Sequence, residues 1–244
     1  LGQLGQAARP QAQRNLPRPP VSCILPAMSD SFSELPLAES LLRAVARQGF
    51  ECPTPVQGRV IPLALAGGDL LVSAQTGSGK TAAFLLPMMQ RFLDRPAADT
   101  GTRALILVPT RELARQIYDH FIQLGSYTRL TAGVVTGGAP LSHQVATLRK
   151  NPELLIATPG RLLEHLEKGN AALDELEILV LDEADRMLDM GFSADVLSII
   201  GRCNAQRQSL LFSATLTHQG LRPITERLLR EPDVVTIDAP REQH

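Results

Sequence analysis

Lys80 and Thr81 close the run Ala74-Gln75-Thr76-Gly77-Ser78-Gly79-Lys80-Thr81. An ammonium and a hydroxyl at the end of a glycine-rich turn are the groups that hold phosphate and a divalent cation. Gly77 and Gly79 allow a tight turn that brings backbone N–H groups close to phosphate oxygens. Lys80 can reach the β- and γ-phosphates, and the Thr81 hydroxyl can ligate Mg²⁺. The general pattern begins with Gly, and here Ala74 holds that place. Further along, Leu179-Val180-Leu181 leads straight into Asp182-Glu183-Ala184-Asp185. Asp182 is placed to hold Mg²⁺ through water, opposite Thr81, and Glu183 to orient or activate an attacking water. Phosphoryl transfer depends on positioning and charge neutralisation more than on covalent chemistry, so a lysine, a metal and one carboxylate go far, and Lys80, Asp182 and Glu183 are the candidate catalytic residues. Taken alone, the acids would also suit a helix N-terminus, where the dipole favours negative charge.

These groups need a scaffold that delivers them to one place. Strand-like apolar runs occur at Asp69–Ser73, Ala104–Val108, Thr131–Val135, Leu154–Ala157, Ile178–Leu181, Ser209–Phe212 and Val234–Ile237. Helix-like segments occur at Leu37–Gln48, Thr81–Leu93, Arg111–Leu124, Leu141–Arg149, Pro159–Glu167, Ala194–Arg202 and Leu221–Leu229. Pro36 and Gly49 are natural punctuation for the first helix. The strands are continuous apolar runs rather than alternating ones, which predicts an α/β fold with a mostly parallel sheet covered by helices on both faces. Ligands of such sheets bind at the carboxyl ends of the strands, where the motifs fall.

The 244 residues are 44% hydrophobic and 20% charged, an ordinary globular composition with room for one large domain. No apolar run approaches the roughly 18 residues of a membrane span, and no signal peptide is evident. Cys23, Cys52 and Cys203 are scattered and suggest neither a disulfide framework nor a zinc site, which fits a reducing, cytoplasmic setting. With a formal net charge of −1, any nucleic-acid binding must come from a local surface rather than a global field. Residues 1–27 are rich in Gln, Pro and Ala, carry Arg9, Arg14 and Arg18, and lack acids. They are expected to be a disordered tail, vector-derived or read through from an overextended frame; the functional alternative is a basic RNA-binding arm.

Asp182–Asp185 spell Asp-Glu-Ala-Asp, and the chain from about Phe32 to Ile237 resembles the N-terminal RecA-like domain of a DEAD-box RNA helicase. The motifs stand in that family's order. Gly49-Phe50-Glu51-Cys52-Pro53-Thr54-Pro55-Val56-Gln57, with Phe32 upstream, resembles its adenine-reading element. Ala74–Thr81 resembles its phosphate loop, in which Ala at the first place is normal. Pro109-Thr110-Arg111, Gly137-Gly138 and Thr158-Pro159-Gly160-Arg161 resemble its RNA-contacting elements, and Ser213-Ala214-Thr215 its coupling element. The resemblance implies a RecA-like P-loop NTPase domain over residues 28–240, with ATP or ADP and Mg²⁺ as cofactors and RNA as partner.

The chemistry of the matched residues agrees with the carry-over. The Gln57 amide can pair bidentately with adenine N6 and N7, and Phe32 can stack on the base, with Phe50 counted among the nucleotide-binding residues through the resemblance. Phe32 would equally serve as a core aromatic. Thr54 is expected to support the phosphate loop. Backbone N–H groups at Gly138 and after Thr110 and Thr158 can meet RNA phosphates, which makes binding largely independent of base sequence. Arg111 and Arg161 add positive charge, or instead pair with nearby carboxylates; the glycine pair could be only a turn. Asp185, Ser213 and Thr215 are expected to link the ATP site to the domain interface, the alternative being strand-end capping by hydroxyls.

The family's second RecA-like domain, with its His-Arg-x-Gly-Arg-x-x-Arg element, has no counterpart in this sequence. The chain is therefore expected to bind adenine nucleotides, to hydrolyse ATP poorly and not to unwind duplexes alone. An ATP-gated RNA clamp or assembly platform is the non-enzymatic alternative, and a DNA translocase on the same core is a third, disfavoured by the adenine-reading and Asp-Glu-Ala-Asp elements together. The arginine-rich character, with only Lys80, Lys150 and Lys168 as lysines, looks bacterial, and ribosome assembly is the expected process.

Overall fold

The computed structural model describes residues 31–96 and 101–237. The expected tail at 1–27 lies outside the described residues. All seven expected strands form: β1 (Leu70–Ser73), β2 (Ala104–Leu107), β3 (Ala132–Val135), β4 (Leu154–Ala157), β5 (Ile178–Leu181), β6 (Gln208–Ser213) and β7 (Asp233–Thr236). They make one sheet in the order β3-β4-β2-β5-β6-β1-β7, with every pairing parallel.

The continuous apolar runs have a direct explanation in the period-two geometry of a strand. Leu70 and Val72, Ile178 and Val180, and Leu210 and Phe212 point to one face. Leu179, Leu181 and Leu211 point to the other. Each face needs its own cover, so both registers of every central strand must be apolar. One face is covered by α1 (Glu39–Arg47), α2 (Pro55–Ala66), α3 (Lys80–Asp94) and α4 (Arg111–Leu124). The other is covered by α5 (Leu141–Leu148), α6 (Pro159–Glu167), α7 (Ala184–Asp189), α8 (Ser193–Arg202) and α9 (Leu221–Leu228).

Two helices have no counterpart in the sequence expectation. The helix α2 is apolar around its circumference and contains Gly58 and Pro62, so it lacks both the periodicity and the composition that mark a helix. Its start is nonetheless signalled, with Pro55 at the first helical position and Gly67 closing it at φ +87°. The helix α7 is only six residues long and sits inside the acidic motif. The helix α1 begins at Glu39 rather than Leu37, because Ala38 is extended and the Leu37 N–H turns back to the Leu35 carbonyl at 2.7 Å.

Parallel strands place all their carboxyl ends along one edge. The sheet order divides that edge in two. The phosphate-loop turn follows β1 and the acids follow β5, with β6 between them. The elements expected to meet RNA follow β2, β3 and β4, side by side in the other half.

Candidate functional site

In the first half of the edge, β1 ends at Ser73 and the chain turns over Gly77 (φ +83°) and Gly79 (φ +91°) into α3. Gly79 is required for space as well as for its backbone. A Cβ there would lie 2.7 Å from Gln57 Nε2 and 2.9 Å from Thr54 Oγ1. Lys80 opens α3 and is 5% exposed. Its Nζ lies 2.9 Å from Asp182 Oδ1 and 3.8 Å from Glu183 Oε1. The catalytic set expected from sequence is thus brought together in a buried cluster. Burial pushes the Asp182 carboxyl above its ordinary range, while the Lys80 charge and hydrogen bond pull the other way.

Asp182 is fully buried, and its second oxygen, Oδ2, has no partner; neither has the buried Ser78 Oγ within the loop. A buried carboxylate oxygen without a donor is an unfilled coordination position. With Thr81, it fits Mg²⁺, which takes one or two protein oxygens and leaves the rest to phosphates and water. Among the described residues no group of three or more His, Cys, Asp or Glu side chains could hold a metal.

Glu183 adopts the left-handed region at φ +53°, ψ +50°. A non-glycine residue held there is strained, and such strain clusters at functional positions. Its carboxylate is fixed from several sides. Thr76 Oγ1 donates to Oε1 at 3.4 Å and Arg186 Nη1 donates to Oε2 at 3.2 Å, while its own N–H donates to Asp182 Oδ1 at 2.9 Å.

A cavity of about 340 Å³ opens beside this cluster. Gln57, Thr76, Gly77, Gly79, Lys80, Thr81 and Glu183 line it, together with Phe50. Gln57 Nε2 donates to the Gly79 carbonyl at 3.0 Å, and Gln57 Oε1 accepts from the Thr54 N–H at 3.0 Å. One further donor and one further acceptor position remain on this amide. Thr54 and Gln57 therefore brace the phosphate loop while Gln57 still fronts the cavity. Phe32 is 4% exposed and stacks on Phe50 with ring centroids 6.3 Å apart. Of the two, Phe50 supplies the free ring face on the cavity wall; it is 39% exposed.

The opposite wall of this cavity was not anticipated from the sequence. Gln116, His120 and Gln123 of α4 reach it. Their signal is a polar stripe at helical spacing, opposite the buried Ala114, Ile117 and Phe121. Nothing in the stripe itself distinguishes a ligand wall from an ordinary solvated face.

In the second half of the edge, Thr110 caps α4, its hydroxyl accepting from the Leu113 N–H at 3.2 Å after the buried Pro109. Thr158 caps α6 without a side-chain bond, and Pro159 takes the first helical position, with Gly160 exposed beside it. Gly137 and Gly138 form a turn after β3, Gly138 at φ +84°. Both arginines are engaged with protein. Arg111 Nη1 donates to the Gly137 carbonyl at 3.4 Å. Arg161 Nη1 donates to the Ala139 carbonyl at 2.7 Å, and its Nε pairs with Glu164 Oε2 at 3.1 Å. The carboxylate alternative raised for Arg161 from the sequence is thus realised, and its side chain is only 16% exposed.

Hydrogen bonds join Asp185, Thr215 and Ser213. Asp185 Oδ2 accepts from Thr215 Oγ1 at 3.0 Å and from the Thr215 N–H at 3.1 Å. Ser213 Oγ donates to the Thr215 carbonyl at 2.7 Å. One turn further along α7, Asp189 Oδ1 lies 3.1 Å from His218 Nε2. The helix carrying the acids is thereby fastened to the chain leaving β6 at two points.

A buried lysine–aspartate pair at a glycine turn thus stands beside a cavity, with two helix starts and a second glycine turn along the same edge. The sequence model of the DEAD/DEAH box helicase family matches residues 54–223, most of the described chain. The chain belongs to the DEAD/DEAH box helicase family. This DEAD-box chain is 47% identical over 203 residues to the ATP-dependent RNA helicase SrmB of Escherichia coli, covering 83% of this chain and 46% of SrmB. It is 45% identical over 205 residues to the DEAD-box ATP-dependent RNA helicase 28 of Arabidopsis thaliana, covering 84% of this chain and 26% of that protein. A DEAD box protein from the hyperthermophile Methanococcus jannaschii has a matching crystal structure, with TM-score 0.80 and 36% identity over 85% of this chain and 56% of that one. The fold is thus the RecA-like α/β domain of the family. The chain spans a quarter to a half of these curated relatives, and bacterial and plant proteins match it about equally well.

Proposed function

We propose that residues 28–240 form the ATP-binding half of an ATP-dependent RNA helicase, which couples ATP binding and hydrolysis to local opening of RNA duplexes. The observation that carries this reading is the Lys80–Asp182–Glu183 cluster at one end of a strand edge whose other end presents helix starts and a glycine turn.

The chemistry follows from the groups in place. Phosphates enter over the Gly77–Gly79 turn, and Lys80 exchanges its bond to Asp182 for the β- and γ-phosphate oxygens. That exchange leaves Asp182 without Lys80, and with Thr81 it would hold Mg²⁺, whose charge would take over from the ammonium in favouring the carboxylate. Bound there, the ion supplies charge neutralisation on the phosphates. Glu183, held rigidly by Thr76 and Arg186, orients the attacking water. The base lies against the ring of Phe50, which the buried Phe32 backs from behind. The remaining donor and acceptor of Gln57 pair with adenine N7 and N6, a match that guanine, with O6 in that place, does not offer.

RNA lies across the starts of α4 and α6 and the Gly137–Gly138 turn, held by its backbone. Asp185, Ser213 and Thr215 transmit the state of the acid cluster towards the second domain. That domain supplies transition-state arginines worth about 10³–10⁵ in rate, so this chain alone is a poor ATPase. The reading extends to ribosome assembly as the process, and ribosomal-subunit profiles after gene deletion test that assignment.

The deciding experiment is ATP turnover with and without single-stranded RNA, after an ADP-binding control. Bound ADP with negligible turnover by this chain, and RNA-stimulated turnover by the intact protein, is the expected result. No ADP binding overturns the reading. Strong turnover by this chain alone overturns the dependence on a second domain.

A further inference from the structure

The turn after β3 is anchored through its carbonyls. Gln144 Nε2 donates to the Thr136 carbonyl at 2.6 Å, and Arg111 and Arg161 donate to those of Gly137 and Ala139. In a trans peptide the N–H points opposite to the C=O. Anchoring the carbonyls of Thr136 and Gly137 therefore turns the N–H groups of Gly137 and Gly138 away from their anchors. Neither N–H has a protein acceptor among the described residues. Two adjacent free N–H groups at a residue with φ +84° form an anion-binding concavity.

What holds Gln144 is a buried histidine outside every motif. Arg161 Nη1 approaches Gln144 Oε1 at 3.3 Å, and arginine can only donate, so this oxygen is an acceptor. His165 Nε2 lies 2.9 Å from the same oxygen and must carry the proton. His165 Nδ1 then accepts from Asn170 Nδ2 at 3.2 Å. The ring is fully buried and Gln144 is 5% exposed. The amide is thus fixed in the one orientation that donates to Thr136.

We propose that His165 is a positioning residue for RNA binding: through Gln144 it holds the Gly137–Gly138 turn with both N–H groups presented to one phosphate. This rests on the RNA reading given above. The neutral ring is required, because a proton on Nδ1 would face the Asn170 donor. The charges acting on the ring are Arg161, Glu164 and Lys168, on α6 or at its end; Gln144 from α5 and Asn170 from the following loop are uncharged. Burial, with Arg161 adding to it, holds the imidazole below its ordinary value.

The test uses His165→Leu and His165→Gln, with three readouts: affinity for single-stranded RNA, affinity for ADP, and NMR shifts of the Gly137 and Gly138 amides in the free protein. The leucine variant removes the donor. It should weaken RNA binding about tenfold and move both amides, leaving ADP affinity unchanged. Glutamine can place a donor near the same point without titrating. It should keep RNA affinity within about twofold of wild type, and its turn amides should stay constant as pH falls below about 6.5, while those of the wild type move once the lowered His165 value is reached. Unchanged amides and RNA affinity in the leucine variant overturn the proposal, as does equal loss in both variants. A tenfold loss of RNA affinity in the glutamine variant also overturns it, whether or not the leucine variant folds. If the leucine variant moves the amides but the wild-type chain binds no RNA, positioning of the turn stands and the RNA reading falls.

Discussion

The two halves of the sheet's carboxyl edge are built from different parts. Over β1, β5 and β6 the charges are on buried side chains: Lys80, Asp182 and Glu183 are at most 8% exposed. Over β2, β4 and β3 the groups offered are backbone N–H donors at helix starts and a turn, and the arginines there point their guanidinium groups at carbonyls of the same turn. A buried charge acts strongly because solvent does not screen it, and reaction chemistry needs that strength at one point. Backbone donors are weaker and identical along any strand of nucleic acid, which suits grip without sequence preference. On the function proposed above, the strained, low-exposure half would be where rate is made, and the half offering backbone donors where a polymer would be held.

Mutations should separate the halves cleanly. Glu183→Gln in the intact protein is expected to lower ATP turnover by about 10²–10⁴, with ADP affinity within about threefold, measured by steady-state kinetics and calorimetry. Lys80→Ala should weaken ADP binding by about 10²-fold through loss of a charge-assisted contact, and leave RNA affinity without nucleotide alone. Loss of RNA binding in Lys80→Ala would show that the halves are not independent. Gly138→Ala should do the reverse. Its Cβ would collide with Arg111 Nη1 at a backbone angle that disfavours side chains, so RNA affinity should fall about tenfold with ADP affinity intact.

Smaller effects sharpen the contrast. Glu183→Gly should raise the melting temperature by about 2–4 °C while abolishing turnover, because glycine accepts φ +53° without strain. An unchanged or lower melting temperature would mean that the bonds to Thr76 and Arg186 outweigh the strain. In the other half, the His165 value is depressed on folding. Its neutral form thus stabilises the fold fully above about pH 6.5, the unfolded value, and that contribution is lost as pH falls through the lowered folded value. The melting-temperature difference between wild type and His165→Gln should shrink below about pH 6.

Much of the scaffold was legible because parallel strands buried on both faces must be apolar in both registers. The run from Ile178 to Leu181 could be placed to the residue for that reason. The helix α2 was not legible, since Gly58, Pro62 and an all-round apolar surface obey the needs of its packing rather than helix propensity. In the site, Lys80 and Asp182 were readable because phosphate chemistry tolerates few substitutes for an ammonium and a carboxylate. The stripe of Gln116, His120 and Gln123 was not, because glutamine and histidine on an exposed helix face carry no signal until a cavity is seen in front of them.

The sequence by itself determined the layer order, the chemistry of the phosphate loop and the family, since each depends on residue type at short spacing. Only the tertiary structure decided which groups meet. It paired Arg161 with Ala139, set Gln57 and Thr54 against Gly79, and put His165 behind Gln144. Such contacts join residues far apart in the chain, and their identity depends on strand order and helix orientation, which local spacing does not encode.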